Sequence, residues 1–381
     1  MHRYWLKGWR LQLLVYITIA LTKILHATRT GCKQRDDDGT TQASLYSLPG
    51  SPDLRRLEHP SLGSWLDYRS ALRPRYNFVW YEIALSISMM VGGFVAHLWL
   101  TARWGNRIGF ELGLAGAVWI GFWLNTLLTF GHEAAHYNLS PNRKRNDLFA
   151  DWSIWLFFPQ TTKAYRKSHW QHHLHLGDPK DTEISYRNCL SLWFLLKTLS
   201  GIYLTTLVMR YVFRKRTSLA DPSEVVPSEA QSRVNMEAIV ASARAFSFHA
   251  AVIGIALYLH CCASAVTWVV GVAFVFPFFG TIRQILEHRS AEAHCASDYE
   301  TVPHGAINRT FGNSVFARFY GAAGFNRHIL HHWDPTVSYT CFDEMEAYFR
   351  GTPLREQLER ARSNYFSCWI LLFRKALRDR T

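Results

Sequence analysis

Acidic residues are the scarce class in this chain: 29 Asp and Glu stand against 42 Lys and Arg, a formal net charge of +13. The 7 cysteines are odd in number and form no CxxC pair, so they are expected as reduced, structurally minor thiols rather than a disulfide frame or a zinc ribbon. No zinc finger, basic zipper or RNA-binding sheet motif occurs, which leaves no nucleic-acid partner for the positive charge. Low-complexity arrays and a solenoid period are missing too.

Apolar surface, by contrast, is abundant. Hydrophobic residues make up 49% of the 381 positions and aromatics 15%, yet the mean hydropathy is −0.08. That combination fits apolar spans joined to a polar, charged region. Two runs, about Val79 to Leu100 and Ile108 to Phe130, are long enough to cross a bilayer, with Arg103 and Arg107 in the turn between them. The run Leu190 to Phe213 is interrupted by Lys197 and Arg210 and ends in Arg214, Lys215 and Arg216. As a span it would put that basic run on the far face, so an interfacial or partly inserted helix is expected. Phe246 to Gly280 is expected as two short tilted spans around a turn near Cys261 to Ser264. Counting 190 to 213 and 250 to 279 as single spans instead also gives four crossings. Arg73 and Arg75 before the first span, and Arg143, Lys144 and Arg145 after the second, follow the positive-inside pattern.

The remainder sets the expected boundaries. Residues 1–30 start with Arg3, Lys7 and Arg10 and a short apolar run, open to reading as a signal, an anchor or an interfacial helix. Residues 31–75 read as a polar linker or surface segment, completing an N-terminal extension over 1–75. A membrane domain is expected over 76–345 and a charged helical tail over 346–381. Within the domain, Phe149 to Phe158, with Trp152 and Trp155, suggests an interfacial helix, and 217–245 a polar connection.

Histidine carries the chemistry. Among 18 histidines, three clusters stand out: His132 and His136 in HEAAH; His169, His172 and His173 in HWQHH; His328, His331 and His332 in HILHH. Residues three and four apart share one face of a helix, so each cluster aims its imidazoles in one direction. Imidazole suits iron, zinc, copper and nickel, and eight ligands exceed what one four- or five-coordinate ion can use, so two metals are expected. Both span counts put all three clusters on one side of the membrane. Asp147, Asp151, Asp178, Asp181, Glu183 and Glu287 lie near the histidines in sequence and are candidates for accepting a second imidazole N–H. His175 is a further candidate for that outer layer. His97, His249 and His260, in apolar spans at no ligand spacing, are expected as core or interface residues.

HEAAH, HWQHH, the Glu287-His288 pair, and HILHH followed by Pro335 resemble, in that order around membrane hairpins, the membrane fatty acid desaturase and hydroxylase superfamily. The resemblance covers roughly residues 75 to 345. It implies an all-α integral membrane protein, about four transmembrane helices in two hairpins under a cytosolic helical cap that holds two iron ions. It further implies that His132, His136, His169, His172, His173, His288, His328, His331 and His332 are iron ligands, with no catalytic residue beyond them. His175, Asp147, Asp151, Asp181 and Glu287 are assigned around them. The implied reaction uses O2 to remove hydrogen from an unactivated C–H bond of a lipid acyl chain, with electrons from a ferredoxin or from cytochrome b5 and its reductase. No flavin or nucleotide fingerprint occurs in the chain itself. A basic face at Arg143 to Arg145, Arg166 and Lys167 suits an acidic donor, and positive-inside bias alone would also place it there. Residence in a bacterial inner membrane or the endoplasmic reticulum, boxes facing the cytosol, is implied.

The chain departs from the family pattern in places. Ser338 stands where a second proline is expected after Pro335, His328 replaces the glutamine of front-end desaturases, and no HPGG haem motif is present, so no fused cytochrome b5 domain is expected. Acyl desaturation is the first expectation, with acyl, sphingolipid or carotenoid hydroxylation as the alternative. HEAAH also matches the HExxH zinc metalloprotease motif with Glu133 as base, but that reading leaves both HxxHH clusters unexplained. A metal transporter would instead line its path with histidines inside the spans.

Overall fold

A computed structural model of the chain describes residues 52–206, 209, 228–295 and 307–379, all within one compact unit, Leu45–Thr381. The reading of residues 1–30 lies outside the described residues. The first elements among the described residues fall in the expected linker. β1 (Glu58–His59) and β2 (Gly63–Ser64) form an antiparallel hairpin, and α1 (Trp65–Ala71) follows, its N-terminus capped by the Ser64 hydroxyl, which accepts from the Asp67 amide. Trp65 is wholly buried, its ring 4.6 Å from Phe349 and 5.1 Å from Tyr348. Long-range aromatic packing orders this stretch; its polar composition gave no sign of it.

Among the described residues, four helices are long and apolar enough to cross a membrane. α2 (Tyr76–Trp104) and α3 (Asn106–Ala135) make the first hairpin through a single residue, Gly105, whose φ of 86° a side chain would strain. α3 runs beyond the expected span, so HEAAH lies on its last turn and not after it. α4 (Arg143–Ser153) starts at Asn142, whose side chain accepts from the Arg145 amide at 3.0 Å. α5 (Thr162–His175) carries HWQHH, and α6 (Leu192–Leu199) buries Phe194 and Thr198 while exposing Leu192, Trp193 and Leu196. The rest of the expected run, 207–208 and 210–213, lies outside the described residues, and α6 is not among the spans found in the described ones.

The second hairpin is α7 (Ser228–Tyr258) and the continuous run α8 (Cys262–Val270) and α9 (Phe276–His288), with spans at Met236–Tyr258 and Cys262–His288. The turn falls at Leu259 to Cys261, close to its expected place, but helix extends back through much of the expected polar connection. A π-helical turn, Gly271–Val275, joins α8 to α9 just before Pro277, which has no N–H for regular α bonding. Asn106 ties the hairpins together on the side away from the boxes: its Nδ2 donates to the His260 carbonyl and its Oδ1 accepts from the Ala263 amide, both at 2.9 Å. His97 is buried there between Ser264 and the Gly109 carbonyl; His249, partly buried, bonds the Phe157 carbonyl and Trp268; His260 is exposed in the turn, not in the core.

The remaining elements build the cap: α10 (Val315–Tyr320), α11 (His328–Trp333), α12 (Phe342–Arg350), α13 (Arg355–Arg360) and α14 (Tyr365–Arg378). The expected tail is therefore partly core, with Tyr348 and Phe349 fully buried and Cys368 and Leu372 packed under α9. Cys189 and Cys295 are joined by a disulfide, Cα atoms 5.6 Å apart and 106 residues distant in sequence. The expectation of uniformly reduced thiols is corrected for this pair; no local motif could announce partners so far apart.

Candidate metal centre

Four helices deliver the histidines to one buried place. The last turn of α3 carries His132 and leads into His136, α5 brings His169, His172 and His173, α9 ends on His288, and α11 brings His328, His331 and His332. All nine are at most 4% exposed. They fall into two sets. His132, His136, His169, His173 and His331 have ligand nitrogens within 4.8 Å of one another; His172, His288 and His332 form a second set, and Glu287, His288 and His328 overlap it. The sets adjoin through His173 and His332, whose ring centroids are 4.5 Å apart.

The fine geometry suits metal ions. The Nε2 atoms of His173 and His169 lie 3.0 Å apart, those of His331 and His173 3.1 Å, those of His328 and His288 2.9 Å, and those of His332 and His328 3.0 Å. Neighbouring ligands around an ion with bonds of about 2.1 Å sit at this separation. Both ring nitrogens of His132 and His136 are buried without a hydrogen-bond partner in the protein, a costly state unless something else binds them. Burial and the neighbouring imidazoles hold His136, His173, His328, His331 and His332 well below the ordinary imidazole range, favouring the neutral, ligating form.

Carboxylates stand behind the imidazoles. Asp181 Oδ1 accepts from His172 Nδ1 at 2.9 Å, and its other oxygen accepts from the Tyr186 hydroxyl at 2.6 Å. Glu183 Oε1 accepts from His169 Nδ1 at 2.6 Å. These bonds fix the tautomer and turn Nε2 of each ring toward its set. Burial alone would lower His172, yet the Glu183 and Asp181 carboxylates outweigh it and raise its pKa. Glu183 is held well below the usual carboxylate range: its burial is overcome by His172 and His169. Glu133, which sequence reasoning tied only to the protease motif, is buried with Oε1 3.6 Å from His132 Nδ1 and 3.7 Å from His331 Nδ1, and Asn138 donates to its other oxygen at 3.1 Å. The adjacent HE pair was its one signal. Glu287 approaches His328 at 3.9 Å.

Three expected outer residues are placed elsewhere. His175 belongs to neither set, is partly exposed, and lies 4.0 Å from Asp178. Asp151 accepts from the amide and hydroxyl of Thr162, both at 2.7 Å, and so caps α5. Asp147 pairs with Arg166 at 2.5 and 3.0 Å, and Arg166 also donates to the carbonyls of Ala134 and Ala135. Arg166 is thereby committed within the protein, while Arg143, Lys144 and Lys167 stay exposed.

Residues from the N-terminal stretch fasten the third box. Asp334 follows α11 directly and accepts from Trp65 Nε1 at 3.1 Å and Arg69 Nε at 3.0 Å. Ser338, where a second proline was expected, is buried and caps the turn Tyr339–Cys341 with its hydroxyl. The single-zinc protease geometry is not found: His132 and His136 share their set with three further histidines. Nor do the histidine sets line a path through the spans; they gather where the helices end.

The comparisons with known proteins agree in kind. The family model described as fatty acid desaturase matches residues 109–367. Neither the curated proteins nor the solved structures give a match.

Proposed function

The chain belongs to the fatty acid desaturase family, and from that membership we propose a membrane-bound, O2-dependent di-iron oxidoreductase that introduces a double bond into a lipid acyl chain. The observation that supports this most is the convergence of nine buried imidazoles into two adjoining sets. His132, His136, His169, His173 and His331 hold one iron, and His172, His288, His328 and His332, with Glu287 beside them, hold the other. When bound, the irons supply the activation of O2 that hydrogen removal requires.

The rest of the chemistry is the protein's. Asp181 and Glu183 keep His172 and His169 oriented, and with Glu133 and Glu287 they offset the charge of two divalent ions in a buried site. Burial of the histidine sets keeps bulk water from the reacting carbon. The basic residues at the box-bearing end support a reading in which that end faces the cytosol, in a bacterial inner membrane or the endoplasmic reticulum. The exposed Arg143, Lys144 and Lys167 receive an acidic donor, a ferredoxin or cytochrome b5 with its reductase.

Mass spectrometry of lipids from cells expressing the chain, with His172→Ala as control, tests the reading. A new alkene lost in the variant is expected; an alcohol instead would assign hydroxylation. Full iron content with no oxidised lipid would sink the proposal.

A further inference from the structure

One cation beside the second histidine set is buried with donors unused. Arg283, on α9 one turn before Glu287, is 7% exposed, and its Nε and Nη1 donate no hydrogen bond within the protein. Glu287 Oε1 is 3.7 Å from Nη1, too far for such a bond. The guanidinium instead lies 3.9 Å from the centre of the Phe325 ring. That ring stacks on His328 at 4.8 Å and meets His132 at 4.6 Å, so Arg283 is one aromatic ring away from both histidine sets.

A second unused donor lies on the helix packed under α9. The Tyr365 hydroxyl is buried without a partner, and its side chain sits in the apolar cluster that holds Ile282, the neighbour of Arg283, with Ile285 and Leu286. Leaving donors unmade in a dry interior is costly, most of all on a charged group, and the nearest acceptor, Glu287 Oε1, stays beyond hydrogen-bond distance. Phe279, one turn before Arg283, joins Phe122 and the half-exposed Phe319 in an aromatic cluster, an apolar surface suited to a hydrocarbon chain.

We propose that Arg283, with the Tyr365 hydroxyl, binds a carbonyl or carboxylate oxygen of the lipid substrate, so that oxidation falls near the polar end of the chain and not at its middle. A guanidinium fork is matched to such oxygens, and a few fixed polar contacts set the register of an otherwise featureless chain. The inference rests on the oxidase reading above.

The test uses the full-length, iron-loaded protein with its electron donor and three probes: hexadecanoic acid, its methyl ester and hexadecane. Wild type is expected to oxidise the acid or the ester within the first few carbons and hexadecane poorly; whichever of the two is preferred identifies a carboxylate or an ester carbonyl as the bound group. Arg283→Met should raise KM roughly tenfold to a hundredfold, more than it lowers kcat, and scatter the site of oxidation. Arg283→Lys should restore part of the loss, and Tyr365→Phe should cost less. Equal oxidation of hexadecane, a mid-chain product, or an unchanged product position in Arg283→Met would overturn the inference. So would loss of iron from that variant with no change in KM, which would make Arg283 a brace for Glu287. Failure of the oxidase reading looks different: iron is retained and none of the three probes is oxidised.

Discussion

The Nε2 atoms of His331 and His173 lie 3.1 Å apart although 158 residues separate them in the chain. Neither helix could hold that distance alone. α11 has only six residues and is buried throughout, its position fixed by Asp334, which Trp65 and Arg69 grip from the N-terminal stretch. α5 is held at its start by Asp151 and beside its histidines by Asp181 and Glu183.

Removing one imidazole from each set distinguishes the two proposed iron positions. His136→Ala and His328→Ala should each retain about one iron per chain, against about two in the wild type, as read by elemental mass spectrometry. Loss of both ions from either single variant would mean that the sets do not bind independently.

Asp181→Asn keeps the shape beside His172 but removes the charge on its Nδ1 partner. Iron affinity should fall about 10- to 100-fold, measured by competition with a chelator. Asp147→Asn, by contrast, weakens only the pairing with Arg166, so iron should stay bound while stability falls by about 1–3 kcal/mol.

Stripping the metal should lower the thermal midpoint in detergent. Buried nitrogens that lose their ions are left unpaired, and a ligand that binds only the folded state stabilises it by mass action. An unchanged midpoint after verified iron removal would contradict a structural share for the metals.

Trp65→Ala deletes a fully buried ring and the donor to Asp334. A cost of about 3–5 kcal/mol is expected, together with reduced iron occupancy because α11 loses its anchor. Chemical denaturation and metal analysis of the same sample read both.

The Cys189–Cys295 bond lies on the box-bearing side proposed to face the reducing cytosol, so it should appear as a linked peptide in non-reducing digests of protein isolated without reductant, and Cys189→Ser should cost about 2–4 kcal/mol under those conditions. Free thiols at both positions in the native protein would count against it.

The sequence by itself determined the membrane class, the first hairpin and the three histidine clusters that the fold brings together, because span length, helical spacing and residue type are local properties that a chain displays without folding. His288 stood outside any HxxHH cluster and was reached through the family resemblance. Tertiary structure alone decided the rest: that Trp65 and Arg69 clamp the third box, that the first span of the second hairpin begins at Met236, and that Glu133 stands behind His132 and His331 while Asp147 and Asp151 pair with Arg166 and Thr162. Each of these depends on contacts between positions far apart in the chain, or on which way a buried carboxylate turns, and neither leaves a mark in composition or period.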